Sequence, residues 1–260
     1  MNCGQIIAIL EQKYPCELAE SWDNSGFLVG RGDKEVARIY IALDATDMVI
    51  RQAKEVGADM LITHHPMLFT PIKQITTDNF IGSRIIELIQ NDISYYAIHT
   101  NHDVVTMAPL ASQMMKLKNE EILEVTSALD DEKKGFGRVG ELPQEMSLKV
   151  CAEYVKEVFR LDNVKIFGDL EQTITRVAIS PGSGKSMIQP AIQSGAEVLI
   201  SGDFGHHEGI DAIMQGLAII DAGHYGLEHI FISQMCLFMQ EKFPELEVIS
   251  EEIETPFQVI

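Results

Sequence analysis

Positive charge is scarce in this chain. Its 20 Lys and Arg face 39 Asp and Glu, a formal net charge of −19 over 260 residues. A field of that sign repels nucleic-acid duplexes and anionic membranes, and no dense Lys/Arg run reverses it locally. No nucleic-acid and no membrane partner is therefore expected, and an anionic substrate would need local positive charge of the kind bound metal ions supply. Cysteine is also sparse: Cys3, Cys16, Cys151 and Cys236 form no CxxC pair. That spacing offers no thiolate metal site and suits a reducing cytosol. Long apolar runs are missing, so no segment approaches the length of a membrane span. Met1 to Leu10 lacks a basic leader and a small-residue cleavage site, which argues against a signal peptide. The expected compartment is the cytoplasm.

What is present reads as an ordinary globular chain, 46% hydrophobic and 23% charged, long enough for one large α/β domain or two small ones. Ile6, Ile7, Ile9 and Leu10 mark an amphipathic first helix that ends before Pro15. Ser21 to Gly30 reads as a turn feeding a short strand, with Trp22 assigned to packing. Arg38 to Leu43 is a strand, Asp44-Ala45-Thr46-Asp47 a helix start, Gly57 a helix stop, and Met60 to Thr63 the next strand. This βαβ pattern with short connections predicts parallel strands in an α/β fold. A further helix over 81–90 leads to a strand from Ile93 to Ile98.

The apolar run Met60-Leu61-Ile62-Thr63 stops on His64-His65-Pro66. Pro66 biases His65 toward an extended conformation, so the two imidazoles are expected to project in roughly opposite directions. Residues 38–62 then recur as 176–200 without a gap, at an offset of 195 − 57 = 138. Arg38/Arg176, Ile41/Ile179, Gly57/Gly195, Leu61/Leu199 and Ile62/Ile200 are among the identities, so two related strand–helix–strand units are expected. Where the first unit ends in His64-His65, the second ends in Gly202-Asp203, followed by His206-His207-Glu208. Between them, residues 126–172 carry a charged run at 130–134 and several glycines. They read as a crossing segment with a strand or two and a helix near 147–160.

Two nucleotide-loop patterns fail on context. Gly135-Phe-Gly137-Arg-Val-Gly140 follows a charged run and precedes Pro143, so it reads as a turn. Ser183-Gly184-Lys185-Ser186 has Ile179 where a phosphate loop needs its first glycine. What is left there is a glycine-rich turn opening a helix, still able to hold an anion on backbone N–H groups.

Three polar clusters follow strands directly: His64-His65, His99 with Asp103, and His224 with Glu228. In a parallel sheet the carboxyl ends of the strands face one crevice, so the clusters can converge. His224 and Glu228, at i and i+4, share a face if a helix starts there, with Gly223 permitting a sharp entry. Imidazole and carboxylate without thiolate suit Zn, Fe, Mn or Ni. A pair of such ions activates water for attack on phosphoryl or C=N centres. His99 reads equally as a ligand or as a partner orienting one. His206, His207 and Glu208 read as a further site, a substrate rim or a polar loop, and His102 and His229 as solvent-facing neighbours.

Leu61-Ile-Thr-His-His-Pro-x-x-Phe69, Ala97-Ile-His-Thr-Asn-x-Asp103, Gly135-x-Gly-Arg-x-Gly140, Ser201-Gly-Asp203 and Asp221-Ala-Gly-His224-x-x-x-Glu228 together resemble the Nif-three-like dinuclear-metal family. Its bacterial members are commonly named GTP cyclohydrolase 1 type 2 homologues. Trp22-Asp-Asn-x-Gly26 and the Gly182-Ser-Gly184 turn extend the likeness over nearly the whole chain. Leu227 departs from it, since many members carry a small hydroxyl residue there. The resemblance implies a Nif-three-like α/β fold of two related lobes with largely parallel sheets, roughly 1–125 and 126–260. It places the metal site in the cleft between the lobes. It implies two divalent metal ions per subunit held by His64, His65, Asp103, His224 and Glu228, and a ring-shaped homohexamer. It further implies a metal-dependent hydrolase with a small-molecule substrate, for which the family name suggests the purine ring of the nucleotide GTP. The competing expectation is a non-catalytic metal-binding scaffold or interaction protein.

Overall fold

The computed structural model describes residues 1–129 and 132–260; Asp130 and Asp131, part of the charged run at 130–134, lie outside the described residues. In chain order the elements are α1 (Cys3–Lys13), β1 (Gly26–Val29), β2 (Arg38–Ala42), α2 (Asp47–Glu55), β3 (Met60–Thr63), α3 (Phe80–Gln90), β4 (Ser94–Ala97), α4 (Thr100–His102) and α5 (Ala108–Met114). There follow β5 (Lys118–Leu129), β6 (Glu132–Ser147), α6 (Leu148–Phe159), β7 (Lys165–Phe167), β8 (Thr173–Ser183), α7 (Ile188–Gln193) and β9 (Val198–Gly202). The chain closes with α8 (His206–Met214), β10 (Ala218–Asp221), α9 (His224–Glu228), α10 (Ile230–Lys242) and β11 (Glu247–Ser250).

Two compact units result: Met1–His102 with Phe231–Glu254, and Asp103–Ile230 with Thr255–Ile260. The boundary expected near residue 125 thus moves to the His102–Asp103 bond. The reason is pairing. β5 already starts at Lys118 and forms a long antiparallel hairpin with β6, whereas β11 near the chain end pairs in parallel with β2.

The first unit carries a sheet of order β1-β4-β3-β2-β11, parallel except for β1. Strands β2, β3 and β4 are almost wholly buried, which is why they read as unbroken apolar runs. Ile50 and Ala53 of α2, and Ile85 and Leu88 of α3, pack with Tyr40, Leu61 and Tyr95 in one core cluster. Thr46 caps α2 by accepting from Val49 N at 3.1 Å, and Asn79 caps α3 through Gly82 N at 2.8 Å.

The second unit carries a sheet of order β5-β6-β8-β9-β10-β7. Its β8, β9 and β10 run parallel, while β5, β6 and β7 are attached antiparallel. Ala191 of α7 and Ala212 of α8 pack with Leu199 and Ile219 in its core cluster. The Gly135–Gly140 segment, expected as a turn, lies inside strand β6. Glycine is required there because a Cβ on Gly135 would lie 1.9 Å from Glu124 O across the hairpin. Arg138, in the same stretch, is buried and donates from Nη1 to Gly137 O at 2.7 Å.

The repeat holds down to single hydrogen bonds. Ile39 faces Met60 across β2–β3, and Val177 faces Val198 across β8–β9, each pair 138 residues from the other. Asp59 accepts from Ala37 N and Arg38 N, as Glu197 accepts from Thr175 N and Arg176 N. Arg38 donates to Val56 O, and Arg176 to Ser194 O. Gly57 and Gly195 turn the chain at φ +68° and +73°. In each unit the parallel strands end on the same edge of the sheet, and that edge carries the polar residues singled out above.

Candidate metal centre

In the first unit the strand ends bring three histidines together. His64 and His65 follow β3, and His99 follows β4; one ring nitrogen of each lies within 4.8 Å of the others. The His64 and His65 ring centroids are 4.8 Å apart, so the imidazoles do not diverge as expected. β3 ends at Thr63, and beyond a strand the side-chain alternation that would separate them no longer applies. The bend is held by Thr63 Oγ1, which donates to His65 O at 2.8 Å, and by Tyr95 OH, which donates to the same carbonyl at 3.0 Å.

Each of these rings is oriented through Nδ1. His64 Nδ1 lies 2.9 Å from Ile98 O, His65 Nδ1 2.9 Å from Asp44 Oδ1, and His99 Nδ1 2.8 Å from Asp23 Oδ1. A carbonyl only accepts, so Nδ1 of His64 carries the proton and Nε2 carries the lone pair; the carboxylates favour the same tautomer at His65 and His99. This is the arrangement that fixes a histidine to offer Nε2 to a cation. Asp23 is fully buried behind His99. Burial acts to raise its carboxyl, but hydrogen bonds from His99, Thr100 and Ser25 outweigh it and hold the group far below the usual carboxylate range.

His102 corrects the solvent-facing expectation. It is fully buried, with Nε2 3.0 Å from Gln234 Oε1 and its ring 5.7 Å from that of His64. Its place on α4, three residues after His99, was the available signal. Asp103 follows it directly and opens a π-helical segment, Asp103–Met107, an irregularity common at functional sites.

In the second unit α9 starts where the sequence places it. Gly223, at φ +76°, admits the sharp entry, and His224 and Glu228 share one face, with His224 Nε2 3.0 Å from Glu228 Oε2. Two ligands about 2.1 Å from one ion and at right angles to each other stand roughly 3.0 Å apart, so this pair fits a shared cation. Glu228 is buried, and His224 Nδ1 is held 2.7 Å from Asp203 Oδ2. Asp203 stands at the repeat position of His65 and takes the left-handed φ of +61°; it holds the ring of His224 where its counterpart is itself a histidine. Gly182, at φ +86°, leaves room for the carboxylate, since a Cβ there would sit 2.4 Å from Glu228 Oε1. Sequence reasoning assigned neither Asp203 nor Gly182 to the site, although both fall in its motifs.

His206 and His207 open α8 as exposed residues with ring centroids 5.2 Å apart, and neither belongs to a group of three potential metal ligands among the described residues. Glu208 instead pairs with Lys185 at 2.8 Å. His229 is buried rather than solvent-facing, and burial lowers its pKa. Trp22, expected to pack, is 60% exposed. The donor sets are therefore imidazole and carboxylate only, with the rings oriented from behind, and both sets fit a divalent ion of borderline or hard character. Among the described residues no helix is long and apolar enough to cross a membrane.

Comparison with known proteins identifies relatives over the whole chain. The Duf34/NIF3 (NGG1p interacting factor 3) family model matches residues 1–256. A Clostridium perfringens protein named GTP cyclohydrolase 1 type 2 homolog is 37% identical over 264 residues, covering 100% of both chains. A Bacillus cereus protein related to NIF3 superposes with a TM-score of 0.91 at 26% identity, over 100% of this chain and 99% of that one. Reduced HcgD from Methanocaldococcus jannaschii gives a TM-score of 0.83 at 32% identity, over 96% and 97% of the two chains. With its βαβ repeat, oriented histidines and match over nearly its whole length, the chain belongs to the Duf34/NIF3 family.

Proposed function

We propose that this protein is a cytoplasmic, divalent-metal-dependent hydrolase that carries two ions per subunit on His64, His65, Asp103, His224 and Glu228. The observation that carries the proposal is the treatment of the histidines. His64, His65 and His224 each have Nδ1 engaged by a carbonyl or carboxylate, which presents Nε2 as the donor. Bound at such donors, divalent ions lower the pKa of water and polarise a phosphoryl or C=N centre. The chain's own part is to fix the donors, and the local positive charge that its −19 net charge leaves wanting would come from the ions they hold. Asp44 and Asp203 hold His65 and His224 from behind, while buried Glu228 supplies a negative oxygen beside His224 Nε2. The substrate is a small molecule. The names of the relatives point to the purine ring of GTP, and a ring-shaped homohexamer is the proposed assembly.

A second reading, a non-catalytic metal-binding interaction protein, is favoured by the family description itself, which names an interacting factor. One assay separates the two. Protein loaded with Mn, Fe or Zn is given GTP, other nucleotides and phosphoesters, beside an Asp103→Asn variant. Turnover in the wild type that falls in the variant supports the hydrolase; equal background in both refutes it.

A further inference from the structure

Two aromatic rings of the first unit have no part in metal binding. Trp22 is 60% exposed and Phe69 48%, although burying such rings is strongly favourable. Both converge on His99, with ring centroids 5.8 Å and 5.7 Å away and interplanar angles of 75° and 83°. A T-shaped contact occupies at most one face of each ring, which leaves π surface open in line with those exposures.

Neither ring sits on loose chain. Beside Trp22, the buried Asp23 carboxylate accepts from Ser25 Oγ at 2.9 Å and Thr100 N at 3.1 Å and faces His99 Nδ1. Glu20 N donates to Thr100 Oγ1 at 2.9 Å. Beside Phe69, Asn24 Nδ2 donates to Leu68 O at 2.5 Å, and Met67 N donates to Tyr95 OH at 2.9 Å. The two aromatic segments are thus tied to each other and to the strand end that carries His99. Exposed, anchored aromatic rings beside a histidine cluster suit a flat ligand, and stacking tolerates the protein's negative field because it needs no charge on the ligand.

We propose that Trp22 and Phe69 form a stacking platform for a planar heteroaromatic ring of the nucleobase class, holding it beside His99 at the edge of the His64–His65–His99 group. The inference deepens the hydrolase reading by assigning the residues that hold the ring of its substrate, and it rests on that reading for the metal next to the platform.

Trp22 is the only tryptophan of the chain, so its fluorescence reports on the platform directly. Metal-loaded full-length protein is titrated with guanosine, GTP and, as a ring-free control, ribose 5-phosphate. Saturable quenching by guanosine and GTP and none by ribose 5-phosphate is expected. Stacking worth about 1–3 kcal/mol per base predicts that Phe69→Ala weakens guanosine binding roughly 5- to 150-fold, while Phe69→Tyr retains it. Calorimetry of Trp22→Ala should show a loss of similar size, with metal content unchanged in every variant. Absence of saturable quenching overturns the proposal, as does a Phe69→Ala protein that binds guanosine like wild type. A Trp22 signal that changes on protein dilution but not with ligand also overturns it, since a second copy would then cover the platform. Guanosine binding that depends on Phe69 without turnover would leave the platform standing and remove the hydrolase reading; turnover without ring binding would do the reverse.

Discussion

Gly182→Ala is the substitution whose effect follows most directly from the geometry of the second unit. The new Cβ would lie 2.4 Å from Glu228 Oε1, where ordinary contact begins at 3.4 Å. Glu228 is only 4% exposed at its side chain, so the carboxylate must move by roughly 1 Å, against a tolerance of about 0.2 Å for a metal ligand. Metal affinity should fall on the order of 10- to 100-fold, the range seen when a ligand's support is disturbed. The left-handed φ of +86° adds a backbone cost of about 1–2 kcal/mol. Gly216→Ala is the control. Its φ is +87°, but a Cβ there meets nothing within 4 Å. Both variants should lose thermal stability in calorimetry, Gly182→Ala the more because it also displaces a buried carboxylate, and only Gly182→Ala should lose affinity in a metal titration. Unchanged affinity in Gly182→Ala, or an equal loss in Gly216→Ala, would show that the space beside Glu228 does not govern metal binding.

Three further outcomes follow from the same structure. Asp203→Asn and Asp44→Asn keep the side-chain shape but remove the charge behind His224 and His65; each should weaken metal binding about 10- to 100-fold by titration calorimetry, with little change in fold by circular dichroism. Burial lifts the Glu251 carboxyl from 4.5 to about 7, with nearby Asp44 adding to the rise and the bond from Leu43 N opposing it. The native state therefore holds this proton more tightly than the unfolded chain, and stability falls as pH rises from 4.5 toward 7. Denaturant titrations at about pH 5 and about pH 8 should show Glu251→Gln gaining on the wild type by about 1–2 kcal/mol between the two, the shift being discounted for the group's partial exposure, and a pH-independent difference would contradict this. Leu61→Ala, at a fully buried position of β3, should cost about 2–5 kcal/mol in the same assay.

The parts of the fold that were legible in the sequence are those set by local pattern. The 138-residue repeat appeared as identities because each copy must bury the same strand faces, and the strands pair at that offset. α9 was legible because Gly223 and the His224–Glu228 spacing are local signals. The partners of the histidines were not. Asp44 and Asp203 each lie 21 residues from the ring they hold, and Asp23 lies 76 residues from His99. Only strand pairing brings such residues together, and single-sequence periodicity carries no record of it. The turn expected at Gly135–Gly140 failed for a related reason: glycines that admit a close neighbouring strand look locally like glycines that bend a chain. Trp22 was assigned to packing by residue type, yet the bonds that anchor its segment hold the ring at the surface.

The oriented histidines and carboxylates are proposed to bind a pair of metal ions. Elemental analysis of the full-length protein, after loading with Mn, Fe or Zn and exhaustive dialysis, tests it most directly. Two ions per chain are expected in the wild type, with a clear loss in Glu228→Gln and in His65→Ala. Wild-type protein that retains no metal, or a Glu228→Gln protein that retains the full complement, would contradict it.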